Sequence, residues 1–313
     1  MAQSWYSIVE KEVSSVDDVM GKEVRSAYPE LNDMCEATLQ SRFHIVRPAL
    51  GVLTYYANGG RDADVAVNTA SCFEAVFEGR HLHDRIDSTG AVTGLKKKMF
   101  SKVPSTTKVI VAGDFMYVMG FRLAYGKVPD VVPYLMKVSA SISDSIFMIV
   151  DREHDSSVTE EECLEILKRK SAVEYEVIME CAAKEAGADD AIKYMAECGQ
   201  YIGMALQLES DLEDLFEPKP VMETLTTGYP TLPIYYSMQD EKVGARIKEV
   251  FSTENPSPKD ASRAIALMRE TDAVERCQAL IAECMSKANV IIARLPDSVY
   301  RSELLRFTEN DFQ

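Results

Sequence analysis

The chain has little of what interrupts a helix. Only 15 glycines and 12 prolines occur in 313 residues, and they fall between segments rather than within them. No strand-like alternation of useful length, no internal repeat and no low-complexity tract is present. The seven cysteines, Cys35, Cys72, Cys163, Cys181, Cys198, Cys277 and Cys284, include no CxxC pair, and their number is odd. They read as buried, reduced thiols of a cytoplasmic protein. The N-terminus lacks a basic segment followed by an apolar run, so no secretory signal is expected. Long apolar runs are missing too. The best, around Val109 to Leu123, is broken by Asp114 and Arg122, and no membrane span is expected. Positive charge is in deficit: 34 Lys and Arg face 50 Asp and Glu, a net charge of −16. That balance argues against nucleic acid and against an anionic membrane surface as partners. A diphosphate would need a local basic cluster or metal ions to bind such a chain.

What is present is helical periodicity over nearly the whole length, with 46% hydrophobic residues to build a core. Several helix starts are legible. Thr159 with Glu162 forms a capping box, and Ser257-Pro258-Lys259-Asp260 places a cap, a first-turn proline and a first-turn acid in order. Beyond it, Ala264, Leu267, Val274, Leu280, Ile281, Cys284, Ala288 and Ile291 mark a helix face. Loops are expected at residues 58–62, 125–130, 151–157 and 217–229. The expectation is an all-α protein: one large helical bundle spanning residues 1–313 as a single domain, with about ten or more helices.

Two acidic segments stand out. One is His83-Asp84-Arg85-Ile86-Asp87-Ser88; the other is Gln207-Leu208-Glu209-Ser210-Asp211-Leu212-Glu213-Asp214. They resemble the paired DDxxD motifs of the trans-isoprenyl diphosphate synthases, the polyprenyl synthetase family. Further segments follow that family's order. Val46-Arg47-Pro48-Ala49-Leu50 resembles the end of its GGKRxRP segment, and Ala112-Gly113-Asp114-Phe115 its AGD motif. Lys170-Ser171-Ala172 is similar to its Lys-Thr pair, and Gly203 to Leu208 to its GxxFQ lead. Gly228-Tyr229-Pro230-Thr231-Leu232-Pro233 resembles GKxTLP, and Leu295 to Arg301 its C-terminal hairpin. The resemblance implies the isoprenoid (prenyl) synthase type of helical bundle.

It also implies a chemistry. Family members join isopentenyl diphosphate to an allylic diphosphate, and magnesium ions held by the acidic motifs neutralise the departing diphosphate. The resemblance makes Asp84, Asp87, Asp211 and Asp214 the candidate metal ligands and the candidate catalytic acids. It makes Arg47, Lys170, Gln207 and Lys97 the candidate diphosphate contacts. Acids three or four apart share a helix face, so Asp84 with Asp87, and Asp211 with Asp214, are suitably spaced.

The departures are specific. Arg85 replaces the second aspartate of the first motif and Ser88 the last; Ser210 replaces the first aspartate of the second. In the GGKRxRP segment, His44 stands for the lysine and Ile45 for an arginine. Phe77 stands where a histidine is usual, Tyr229 stands for the lysine of GKxTLP, and no arginine occurs from Ser88 to Leu95. Lys96, Lys97 and Lys98 follow, and a lysine run is commonly a solvated face. Arg80, beside Gly79 at the positions that set product length, obstructs a tunnel below the site. Arg85 also repels magnesium, or pairs with Asp211 or Asp214. His81 and His83, two apart, point to different faces and make no zinc pair; His83 is expected to be structural, Asp114 likewise, and His154 solvated.

The expected function is a non-catalytic or regulatory subunit of a heteromeric trans-prenyl diphosphate synthase, partnered with a competent homologue or with a second copy. The alternative is an active prenyltransferase with an altered magnesium site. A class I terpene cyclase ranks below both, because Ser210, Asp211 and Glu217 do not give that class's second metal motif. A prenyl-binding module has no sequence feature in its favour.

Overall fold

Apolar residues at helical spacing, capped by short polar side chains, dictate the architecture of the computed structural model, which describes residues 4–38, 45–86, 90, 92 and 104–309. The described residues form fifteen α-helices, joined by short 3-10 and π turns. No strand occurs among them beyond an isolated antiparallel bridge between Ile86 and Val92. The all-α expectation holds.

The chain divides into two compact units. The first comprises Met1–Lys137, Val177–Ala196 and Ile291–Gln313; the second comprises Val138–Glu176 and Glu197–Val290. Helices α1 (Glu10–Glu23), α2 (Pro29–Thr38), α3 (Val46–Ala57), α4 (Ala63–His83), α5 (Thr106–Lys127) and α15 (Val299–Glu309) belong to the first. Helices α7 (Glu160–Leu167), α10 (Pro218–Thr227), α11 (Leu232–Met238), α12 (Gly244–Phe251) and α13 (Pro258–Met268) belong to the second. The boundaries fall inside α6 (Val132–Val150), α8 (Val173–Glu185), α9 (Ile192–Asp214) and α14 (Ala273–Ile292).

Helix α4 is the axis of the first unit. Asp62 caps it by accepting from the N–H groups of Asp64 and Val65. It is buried around most of its circumference, as a core helix must be when its apolar residues are not confined to one stripe. It packs on α5 at backbone contact distance: a Cβ added to Gly79 would lie 2.7 Å from the Gly113 carbonyl oxygen. Val16, Met20, Met34, Val67, Val109 and Met116 fill the adjoining core. In the second unit the core joins Leu215, Leu225, Ile234, Ile247, Phe251 and Leu267.

The capping boxes at Thr159 and Ser257 both form. Three local expectations are corrected. The presumed loop 217–229 contains α10, because Pro218 opens a helix rather than breaking one and Gly228, at φ 67°, ends it. Helix α5 continues through Tyr125 to Lys127. The apolar face from Ala264 to Ile291 is split between α13 and α14. By length and composition alone, α5 is the one described helix able to cross a membrane. It is a packed helix on the side facing α4, where Val109, Ala112, Gly113, Met116 and Gly120 are buried.

Candidate functional site

In the first unit, the first acidic motif begins where α4 ends. Asp84 is the residue after the helix, and its N–H still donates to the carbonyls of Arg80 and Leu82. One turn back, Arg80 reaches it: Nη1 lies 2.9 Å from the Asp84 Oδ2. The two neighbouring histidines diverge, as their spacing requires. His81 Nδ1 lies 3.5 Å from Glu78 Oε1. His83 Nε2 lies 3.1 Å from the Ile110 carbonyl and 3.3 Å from Asp114 Oδ1. The Ala-Gly-Asp segment thus serves as a dock for His83, and a Cβ on Gly113 would collide with the imidazole. Asp87, Ser88, His44 and the lysines at 96–98, Lys97 among them, lie outside the described residues.

Arg47 sits deeper in the same unit. Helix α3 buries its side chain to 2% exposure, between Glu74 and Glu78 of α4, each 1% exposed. Its Nε donates to Glu74 Oε1 at 2.8 Å, and its Nη2 to Glu74 Oε2 at 3.0 Å and to Glu78 Oε1 at 2.9 Å. The guanidinium also lies over the Phe77 ring, 5.2 Å from its centroid. Two carboxylates one turn apart on a buried helix are costly without a cation, and Arg47 supplies it with bidentate geometry. Sequence reasoning passed over Glu74 and Glu78. The signal was there: acids four residues apart within an otherwise apolar stretch.

In the second unit, the second acidic motif occupies the last turns of α9. Gln207 Nε2 donates to Asp211 Oδ1 at 2.8 Å. Burial pushes the Asp211 carboxyl up to about 6, against the lowering effects of the Gln207 hydrogen bond and the Lys170 charge; Asp214 adds a small push upward. Burial also raises Asp214, helped by Glu213, Glu223 and Glu217. The Cys277 thiol is pushed up to about 12 by burial and by the Asp211 charge.

Lys170 stands on a π turn, Lys168–Ala172, between α7 and α8. Gly203 lets α9 approach that turn closely, since a Cβ there would lie 2.7 Å from the Ala172 Cα. The unit therefore brings Gln207, Asp211 and Lys170 together. Tyr229, in contrast, is buried and its hydroxyl donates to Cys163 Sγ at 3.7 Å. His154 is half-buried rather than fully solvated: its backbone N–H donates to the Gly228 carbonyl at 2.8 Å and its Nδ1 lies 3.3 Å from the Phe251 carbonyl.

Comparison with known proteins decides the lineage. The sequence profile described as "Polyprenyl synthetase" matches residues 28–268. The chain belongs to the polyprenyl synthetase family. Heptaprenyl diphosphate synthase component 2 of Geobacillus stearothermophilus is 24% identical over 301 residues, covering 94% of this chain and 93% of that protein. Octaprenyl diphosphate synthase of Escherichia coli is 24% identical over 281 residues, with 83% of this chain and 82% of that protein covered. Among solved structures, a Caulobacter crescentus polyprenyl synthase complexed with calcium and isoprenyl diphosphate has the same fold. Its TM-score is 0.85 at 19% identity, with 98% of this chain and 96% of that one covered.

This family is typically magnesium-dependent. Magnesium takes near-octahedral oxygen coordination, commonly from one or two carboxylates with water and phosphate oxygens. Among the described residues, no group of three or more His, Cys, Asp or Glu stands together to hold a metal. Within the first unit Asp84 already shares a cation with its own helix; within the second, Asp211 holds the Gln207 amide. Among the described residues, the donors of neither unit, taken by itself, fit a magnesium site.

Proposed function

We propose that the chain is a non-catalytic or regulatory subunit of a heteromeric trans-prenyl diphosphate synthase, acting in the cytoplasm as a single domain over residues 1–313. The observation that carries this reading is the burial of Arg47 against Glu74 and Glu78. Arginine binds diphosphate by turning its planar fork to the phosphate oxygens. Here three fork contacts go to carboxylates of the same unit, and releasing them would strand two buried negative charges. Of the cations in the family's GGKRxRP pattern only Arg47 keeps its place, so the isopentenyl side of the reaction loses that arginine to the fold. Arg85, Ser88, Ser210 and Tyr229 support the same reading, because each replaces a group that binds metal or diphosphate. A relative whose name reads "component 2" supports a partner chain for this one, a competent homologue or a second copy.

A second reading keeps the chain active through an altered magnesium site built on Asp84, Asp87, Asp211 and Asp214, with Lys170, Gln207 and Lys97 on prenyl diphosphates. Its support is the trio Gln207, Asp211 and Lys170, in which Asp211 is mostly ionised at neutral pH.

A prenyl transfer assay separates the two. The purified chain is given magnesium, labelled isopentenyl diphosphate and allylic diphosphates of increasing length. The subunit reading expects no labelled product from the chain alone, and product or altered chain length once a competent homologue is added. Magnesium-dependent product from the chain alone overturns it.

A further inference from the structure

The misfit between the first acidic motif and magnesium has a local cause. We propose that Arg80 is the resident counter-cation of that motif and keeps a divalent cation off Asp84. This deepens the subunit reading above, and it concerns one side chain only.

Helix geometry sets up the pair. Arg80 and Asp84 are four residues apart, so they share a face of α4. Asp84 sits just past the C-terminus of a 21-residue helix, where the unsatisfied carbonyls present negative potential. A carboxylate there is destabilised unless a cation accompanies it. The last turn carries three basic residues, Arg80, His81 and His83. His81 turns to Glu78, and His83 turns to Ile110 and Asp114. Arg80 is the member of that turn whose Nη1 stands 2.9 Å from Asp84.

Arg80 is also held in advance. Its side chain is 16% exposed, against 46% for Asp84, so the guanidinium stem is packed and little side-chain freedom is lost on pairing. The neighbouring Gly79 is in backbone contact with α5 at Gly113, which fixes where the Arg80 Cα lies. A dication arriving at Asp84 must share the carboxylate with this charge. For a unit charge about 6 Å from a dication in a water-like medium, Coulomb repulsion weakens binding about tenfold.

The test uses the full-length protein and manganese(II), followed by the electron paramagnetic resonance signal of the free ion. Wild type and Asp84→Asn are expected to titrate alike, because Asp84 does not take the ion. Arg80→Gln is expected to bind about tenfold more tightly than wild type, and Arg80→Gln/Asp84→Asn to lose the gain. Arg80→Met, which keeps the packed stem, carries the same expectation should Arg80→Gln melt early by circular dichroism. Two outcomes overturn the proposal: Asp84→Asn weakening manganese binding by the otherwise unaltered chain, or neither Arg80 variant binding more tightly. Neither readout involves turnover. Magnesium-dependent product from the chain alone would therefore defeat the subunit reading and leave the role of Arg80 to be decided by the manganese titrations.

Discussion

Arg47 in the first unit and Lys170 in the second are the two described cations that the family likeness points toward diphosphate, and their surroundings differ. Arg47 is sealed between two glutamates and an aromatic face. Lys170 is half-buried on a π turn, and its charge reaches Asp211. A cation enclosed by opposite charges becomes part of the fold, because the carboxylates it neutralises have no water to fall back on. A cation that keeps one side toward solvent can exchange partners at small cost. The same kind of motif residue has thus become a strut in one unit and kept a half-open setting in the other.

The sharpest way to break this comparison is to remove each charge. Arg47→Met should cost about 3–5 kcal/mol of stability in urea titrations, as for any buried pair that loses one partner. Lys170→Met should cost no more than about 1 kcal/mol. Equal costs would end the distinction. The triple variant Arg47→Met/Glu74→Gln/Glu78→Gln should recover much of the loss, since no buried charge is then left alone.

Next in size is the support beneath the first motif. Gly113→Ala places a Cβ against His83 and the Gly79 carbonyl. Overpacking of that kind costs about 1–3 kcal/mol, to be read as a fall in the thermal midpoint.

A smaller effect sharpens the picture of the second motif. Asp211 has its carboxyl raised from 3.8 to about 6 in the folded chain. As pH rises from 4, the unfolded chain gives up that proton first, so stability is lost between about pH 4 and 6 and stays lost above. Asp211→Asn should therefore be more stable than wild type at pH 8 by roughly 1–2 kcal/mol, after allowance for solvent screening. The advantage should vanish near pH 4 in paired thermal melts. An advantage that grows as pH falls would show the burial argument to be wrong. The smallest effect belongs to Asp84→Asn, whose half-exposed pair with Arg80 is worth about 0.5 kcal/mol to the fold.

Much of this was written locally. Thr159 and Ser257 announce their helices because a cap is a contact among residues three apart. Helix α10 was hidden because proline, read as a breaker, sits where a first turn tolerates it. The pairing of Arg80 with Asp84 was legible in spacing alone, yet a position tied to product length and an acidic motif invite separate readings. Arg47 was harder. Its partners lie 27 and 31 residues away, and only the packing of α3 on α4 brings them together. The rise of the Asp211 carboxyl was not legible at all, because it comes from burial, which a lone helix does not reveal.

The π turn at Lys168–Ala172 has one more consequence. Such a turn is an α-helix carrying a single surplus residue. Wound instead as ordinary α-helix with no residue removed, the same stretch would swing each downstream side chain by about 100° around the axis. Ala172, Val173 and Tyr175, now buried, would rotate toward water. The loop of one amino acid is therefore a phase-setter: it decides which flank of the following helix is oily, and in doing so it fixes the compass bearing of Lys170.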